Sequence, residues 1–256
     1  MFACLSLFFP WSLLHSEEST NFNVLVLRTL NSMPTAGGYA TNSLAKKNLQ
    51  RAVTIDHGYL HVDPRVAVPS FCSEATYLLF LKALSILQIE GKLSLSPALL
   101  ALLLPHNNPD GEGFWGCWNA NGPGVARLFH RYELGTNFSD LAAAKPGDFL
   151  KIFWTDSIGN AERGHLVIYL GEGKKGNTTY LHYWSSNQPD GYGKHTCRLS
   201  KTHHLIFSRL LTPQSLEKLL LYAPRDSYLA SLLSSRATSW EEVCSLCRIK
   251  KLPSDK

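Results

Sequence analysis

Apolar residues change their period along this chain, and the change divides it in two. Residues 22–30 carry a short apolar run that suits either a strand or a short helix, and residues 35–39 (Thr-Ala-Gly-Gly-Tyr) read as a turn. Residues 40–53 have helical spacing, with Asn42 or Ser43 as the cap. Pro64 and Pro69 keep the next segment extended. The clearest helix start follows. Ser70 can cap it, Glu74 lies at the favourable end of the dipole, and apolar residues then recur around the whole circumference as far as Gly91, which predicts burial on most sides. A second apolar helix is expected over 92–104 and a short one over 125–134. Residues 105–124, rich in Gly, Pro and Asn and holding Trp115 and Trp118, read as a long functional loop.

From Lys145 onward the pattern is that of strands. Segments 149–154, 164–170, 178–184 and 205–210 are apolar and β-branched, and Gly-rich residues 171–177 supply a hairpin turn. Two helical segments, about 213–222 and 226–249, close the chain. Helices followed by a meander predict an α+β fold with an antiparallel sheet.

Composition narrows the class. The chain has 256 residues, 45% hydrophobic and 18% charged, which excludes a disordered chain. Apolar runs fall short of the roughly 20 residues of a membrane-spanning helix, so no stable membrane insertion is expected. The net charge of +5 suits an acidic polymer, but Lys and Arg form no dense stripe, the tightest cluster being residues 248–251; nucleic acid is not the expected partner. Residues 1–16 have the length and apolarity of a signal peptide with a polar exit, although no Lys or Arg precedes Arg28. Removing them leaves Cys72, Cys117, Cys197, Cys244 and Cys247, an odd number, so one thiol at least stays unpaired in an oxidising compartment. Cys244 and Cys247 lack the second ligand pair that a structural zinc site needs and are read as a helix-terminal pair, bridged or not. No metal or cofactor is expected.

Cys72 carries the candidate chemistry. It falls in the first turn of its helix, where unpaired N–H groups favour thiolate and can hold an oxyanion. A nucleophilic thiol needs a base. His165 opens an apolar strand directly after Gly164, a residue that lets another group approach closely. A third group should orient the imidazole through its other nitrogen. His182, in the following strand, is the preferred candidate, with Asn187 and Ser185 as alternatives.

Cys72-Ser73 at a helix start, Pro146-Gly147-Asp148 opening a strand, Gly164-His165-Leu-Val-Ile-Tyr-Leu-Gly171 and Tyr180-Leu-His182 occur in the order seen in the NlpC family of papain-like cell-wall cysteine peptidases. The chain resembles that family over about residues 55–200. The resemblance implies a papain-like catalytic domain over 17–212 with an insertion at about 92–124, followed by a C-terminal helical extension over 213–256. It implies nucleophile Cys72, base His165 and orienting His182, with no metal, and hydrolysis of amide bonds in bacterial peptidoglycan stem peptides, in the periplasm, at the cell envelope or outside the cell. Tyr59 and Ser73 would meet substrate, and Trp115 and Trp118 of the insertion would line or cover the cleft. The residue before the thiol, an Asp in the family, is Phe71 here. A non-catalytic wall-binding protein of the same fold and a Cys-His acyltransferase or amidase acting on another substrate are the alternative readings.

Overall fold

Asn21 decides the first ambiguous segment. Its Oδ1 accepts the Asn23 N–H at 3.2 Å and so caps residues Phe22–Leu30 as helix α1. The computed structural model describes residues 21–222, 224–233 and 236–249; the segment read as a signal peptide lies outside them. Asn42 caps α2 (Ser43–Ala52) in the same way, accepting the Ala45 N–H at 3.1 Å. The long apolar helix is α3 (Cys72–Ile89). Its N-cap is Phe71 rather than Ser70, and the acceptor there comes from the third helical residue: Glu74 Oε2 takes the Phe71 N–H at 3.1 Å. Ser70 lies one residue upstream, with its hydroxyl on Ser186 Oγ at 2.9 Å, tying the helix start to the sheet.

Shorter helices follow: α4 (Pro97–Leu103), α5 (Gly113–Asn119), α6 (Gly124–Arg131), α7 (Ser227–Leu232) and α8 (Trp240–Leu246). The expected 105–124 loop therefore contains α5. Its aromatic residues Phe114 and Trp118 are buried, and their packing against Tyr77 and Phe80 of α3 outweighs the Gly/Pro content that suggests a loop. The expected tail helices are also broken: Pro213–Leu220 is 3-10 helix, and α7 and α8 are separate.

The strands are β1 (Ala36–Gly37), β2 (Val53–Asp56), β3 (Tyr59–Val62), β4 (Gly135–Phe138), β5 (Phe149–Phe153), β6 (Ile158–Gly159), β7 (Gly164–Lys175), β8 (Thr178–Asn187), β9 (Gly191–Arg198), β10 (His204–Leu210) and β11 (Ala237–Thr238). Seven form an antiparallel sheet in the order β1-β9-β8-β7-β5-β10-β4. The molecule is thus α+β. Helix α3 is wedged between the sheet, the β2–β3 hairpin and helices α1 and α5. That position explains its apolar surface on all sides: Tyr77, Leu78, Phe80 and Leu84 are completely buried. It is the one described helix whose length and composition would suit a membrane span, and most of it lies inside the protein. The far face of the sheet carries a second apolar layer around Leu150, Val167, Tyr183 and Phe207.

The turn before β5 is held by charge. Asp148 is fully buried, and its carboxylate accepts two bonds from the Arg209 guanidinium (2.8 and 2.7 Å), one from Asn23 Nδ2 (2.8 Å) and one from the Lys145 N–H (2.8 Å). Gly147 adopts φ +97°, and a Cβ there would meet the Asn23 backbone at 2.7 Å, so the turn needs glycine.

Candidate active site

Helix α3 presents Cys72 as its first residue, at the positive end of five turns of aligned peptide dipoles. The thiol is half-buried, free of any disulfide, and lies close enough to the His165 ring and the Leu166 N–H for both to act on its ionisation. Burial by itself would raise its pKa. The His165 hydrogen bond and charge, the Leu166 N–H and the nearby Lys151 ammonium outweigh burial and bring it down to about 7. The His165 pKa is raised. Burial opposes the imidazolium, but the hydrogen bond and charge of Cys72, together with the Asn187 hydrogen bond, prevail.

Asn187 fixes the imidazole. His165 Nε2 lies 2.9 Å from Asn187 Oδ1. The amide orientation follows from its other bonds: Nδ2 donates to Ser185 O at 2.9 Å and to Gly193 O at 3.2 Å, which leaves Oδ1 for the ring. Nε2 therefore carries the proton, and Nδ1 is left to face the sulfur.

The expected neighbour His182 is elsewhere. Register in the β7–β8 hairpin sets His182 opposite Gly171 and Trp184 opposite Ile168. A β-bulge between Tyr169 and Gly171 separates these two pairs, and the Ile168–Trp184 register beyond it, continued along the strands, brings Asn187, at the end of β8, across from His165. The His182 ring sits over Gly173, whose added Cβ would be 2.7 Å from Nε2. Ser185, the other alternative, has its hydroxyl on Leu166 O at 2.8 Å.

Cys72 opens into a cleft of about 370 Å³. Ser73 lines it and donates to Asn119 Oδ1 at 2.6 Å; Asn119 Nδ2 in turn donates to Asp110 Oδ1 at 3.1 Å. The 92–124 segment thus supplies one wall through Asp110, Trp118, Asn119 and Asn121. Its tryptophans do not offer open ring faces. Trp118 is 1% exposed, with Nε1 on Thr76 Oγ1, and Trp115 packs on Phe71 and Tyr77. Tyr59 is exposed on the β2–β3 hairpin and does not line the cleft.

Three cleft residues were not anticipated. Tyr39 pairs through its backbone with Ser70 and is electrostatically coupled to Cys72 and Glu74; burial and these neighbours push its hydroxyl up to about 12, so it remains a hydrogen-bond donor. Its place just after Gly37-Gly38 was the available signal. Lys151, a lone charge in apolar β5, pairs with Glu162 at 2.5 Å. Both crowd against Gly164, where an added Cβ would meet them at 2.9 and 2.7 Å, so the close approach that Gly164 permits is made by these two side chains.

Fold and geometry together define an α+β protein with a thiol beside a cleft, an imidazole acting on it, and a carboxamide hydrogen-bonded to that imidazole. Comparison with protein-family models, curated proteins and solved structures gives no match.

Proposed function

We propose that this protein is a cysteine hydrolase that cleaves amide bonds through an acyl-enzyme, with Cys72 as nucleophile, His165 as general acid and base, and Asn187 as the group that orients the imidazole. One observation carries the reading: the placement of Cys72, at the tip of α3 and open to a cleft, beside a His165 ring that Asn187 holds by a hydrogen bond. A helix end alone would not justify it, because a lone Cys there is more often an inert packing residue. A thiol lowered by an imidazole that is itself held by an amide is an activated nucleophile.

The steps follow from the atoms. The Cys72 thiolate attacks the substrate carbonyl carbon. The oxyanion is held by first-turn N–H groups of α3, including that of Cys72, and by the Tyr39 hydroxyl. Imidazolium Nδ1–H protonates the departing amine as the C–N bond breaks. Water, losing a proton to Nδ1, then attacks the thioester and releases the acid and the thiolate.

The substrate class we infer is the stem peptide of bacterial peptidoglycan, and the fold a divergent papain-like NlpC type. The order of Cys72-Ser73, Pro146-Gly147-Asp148 and the His165 strand supports this, as does a polar cleft wall of Asn119, Asn121 and Asp110 suited to peptide amides. Muropeptides incubated with the wild-type protein should yield new amine and carboxyl termini, and Cys72→Ala should abolish turnover while leaving the circular-dichroism spectrum unchanged. Full turnover by Cys72→Ala would falsify the assignment. Cleavage of other amides with intact muropeptides would retain the mechanism and remove the substrate.

A further inference from the structure

We propose that Asp156, His203 and His204 form a binding site for a divalent transition-metal ion of the zinc type, separate from the thiol cleft and independent of the hydrolase reading. The three residues come together where the β5–β6 connection passes the start of β10. Backbone bonds hold both segments: the His203 N–H donates to Phe153 O at 2.8 Å, the Trp154 N–H donates to Arg163 O at 3.0 Å, and His204 is paired with Phe153 across the sheet.

The donor atoms converge. His204 Nε2 lies 3.2 Å and His203 Nδ1 3.9 Å from Asp156 Oδ1, and one donor from each of the three residues lies within 4.8 Å of the others. Tetrahedral zinc with ligands at about 2.0–2.2 Å sets its donors roughly 3.3–3.6 Å apart. The observed spacings lie on either side of that range, and small side-chain rotations bring them into it. A hydrogen bond between Asp156 and His204 accounts for one imidazole. It does not account for the second, whose ring centroid is 4.6 Å from the first and whose nitrogen faces the same carboxylate oxygen.

Ligand type points to the ion. Two imidazoles and one carboxylate suit zinc, copper or nickel better than the hard cations calcium and magnesium, which favour all-oxygen shells. Asp156 is 79% exposed and His203 48%, leaving a path for the ion and an open coordination position for water. The His204 ring is fixed by stacking on Trp240 of α8, centroids 4.2 Å apart and 4° from parallel. A bound ion would therefore join the β5–β6 connection to β10 beside α8. The same connection leads on to Glu162, which pairs with Lys151 in the cleft.

The test uses the full chain, stripped with EDTA and dialysed. Titration with Zn(II) in a calorimeter should show one equivalent bound. Titration with Co(II) should produce visible d–d bands without a thiolate-to-cobalt charge-transfer band, together with quenching of Trp240 fluorescence. His203→Ala and Asp156→Asn, both at exposed positions, should lose these signals, and Cys72→Ala should keep them. Absence of a bound equivalent overturns the proposal, as does binding unchanged in both variants. A charge-transfer band that disappears in Cys72→Ala would place the metal on the thiol and equally overturn it.

Discussion

In the proposed mechanism Asn187, a neutral amide, orients the base by accepting from His165 Nε2 at 2.9 Å. Asn187→Ala should lower kcat by about 10²-fold, whereas His182→Ala, remote from the sulfur, should leave kcat within about twofold of wild type; the two variants assayed side by side separate the candidates. The pH profile belongs to the same pair. With the Cys72 thiol lowered to about 7, iodoacetamide alkylation should rise with pH through a midpoint near 7. In His165→Ala the hydrogen bond and charge that oppose burial are lost, and the midpoint should move upward. A midpoint unchanged by His165→Ala would remove the imidazole from the site. Neither Cys117 nor Cys247 competes, since burial pushes both thiols up to about 12.

Helix α3 carries the thiol and strand β5 lies beside the His165 strand, and each of the two is anchored by a buried carboxyl group. Glu74 accepts the Phe71 N–H on Oε2, while Oε1 is buried without a hydrogen-bond partner. Burial, with the nearby Cys72 charge, raises its pKa to about 8, against the opposing effects of the Phe71 N–H and Lys46. The folded state therefore retains a proton that the unfolded chain releases near pH 4–5. Its contribution to stability is complete below that range and is lost as pH rises through about 8. Glu74→Gln, which keeps an acceptor for Phe71, should flatten the dependence of Tm on pH over this interval, as measured by thermal melts; an unchanged slope would mean that Glu74 is ionised in the fold. Asp148 anchors β5 through two hydrogen bonds from the Arg209 guanidinium. Asp148→Ala strands that guanidinium in a mostly buried site and should cost about 3–5 kcal/mol in urea unfolding. The Pro146-Gly147-Asp148 turn thus acts on the fold, setting where β5 and hence Lys151 begin.

At the scale of the molecule, the C-terminal segment is packed into the same interior. Leu216, Leu229 and Leu232 are buried in the main core, and Val243 and Cys247 close a smaller cluster against Phe153 and Ile206 of the sheet. Arg127 of α6 binds Asp226 at 2.9 Å and Leu246 O at 2.7 Å, joining this segment to the helix that follows the cleft wall. A chain ending at residue 212 should therefore be insoluble or molten, detected as lost near-ultraviolet dichroism, rather than a trimmed active domain. Cys247, buried in that smaller cluster, is in no disulfide among the described residues, so its contribution there is packing.

What could be read from the chain alone was local. Helix α3 announced itself because Cys72-Ser73-Glu74 follows Pro69 and leads into an apolar run, and β5 and β7 because their periodicity is strong over short stretches. The thiol and the imidazole were legible for the same reason: each stands at an element boundary in an apolar setting. Loop 105–124 was misread because turn-forming residues describe local preference, while α5 exists through contacts between Phe114, Trp118 and α3. That Asn187 rather than His182 reaches His165 lay with hairpin register, set by the turn at Gly176-Asn177 and then shifted by one residue at the β-bulge between Tyr169 and Gly171. Tyr39, Lys151 and Glu162 reach the cleft from separate strands and loops, and Asp156 meets His203 and His204 across the sheet; chain closure over such distances leaves no mark on neighbouring residues. Sequence determined which side chains stand at the ends of α3 and β7, through backbone preference within a few residues. Tertiary structure decided which of them face one another, because only packing and strand register bring distant residues within hydrogen-bond reach.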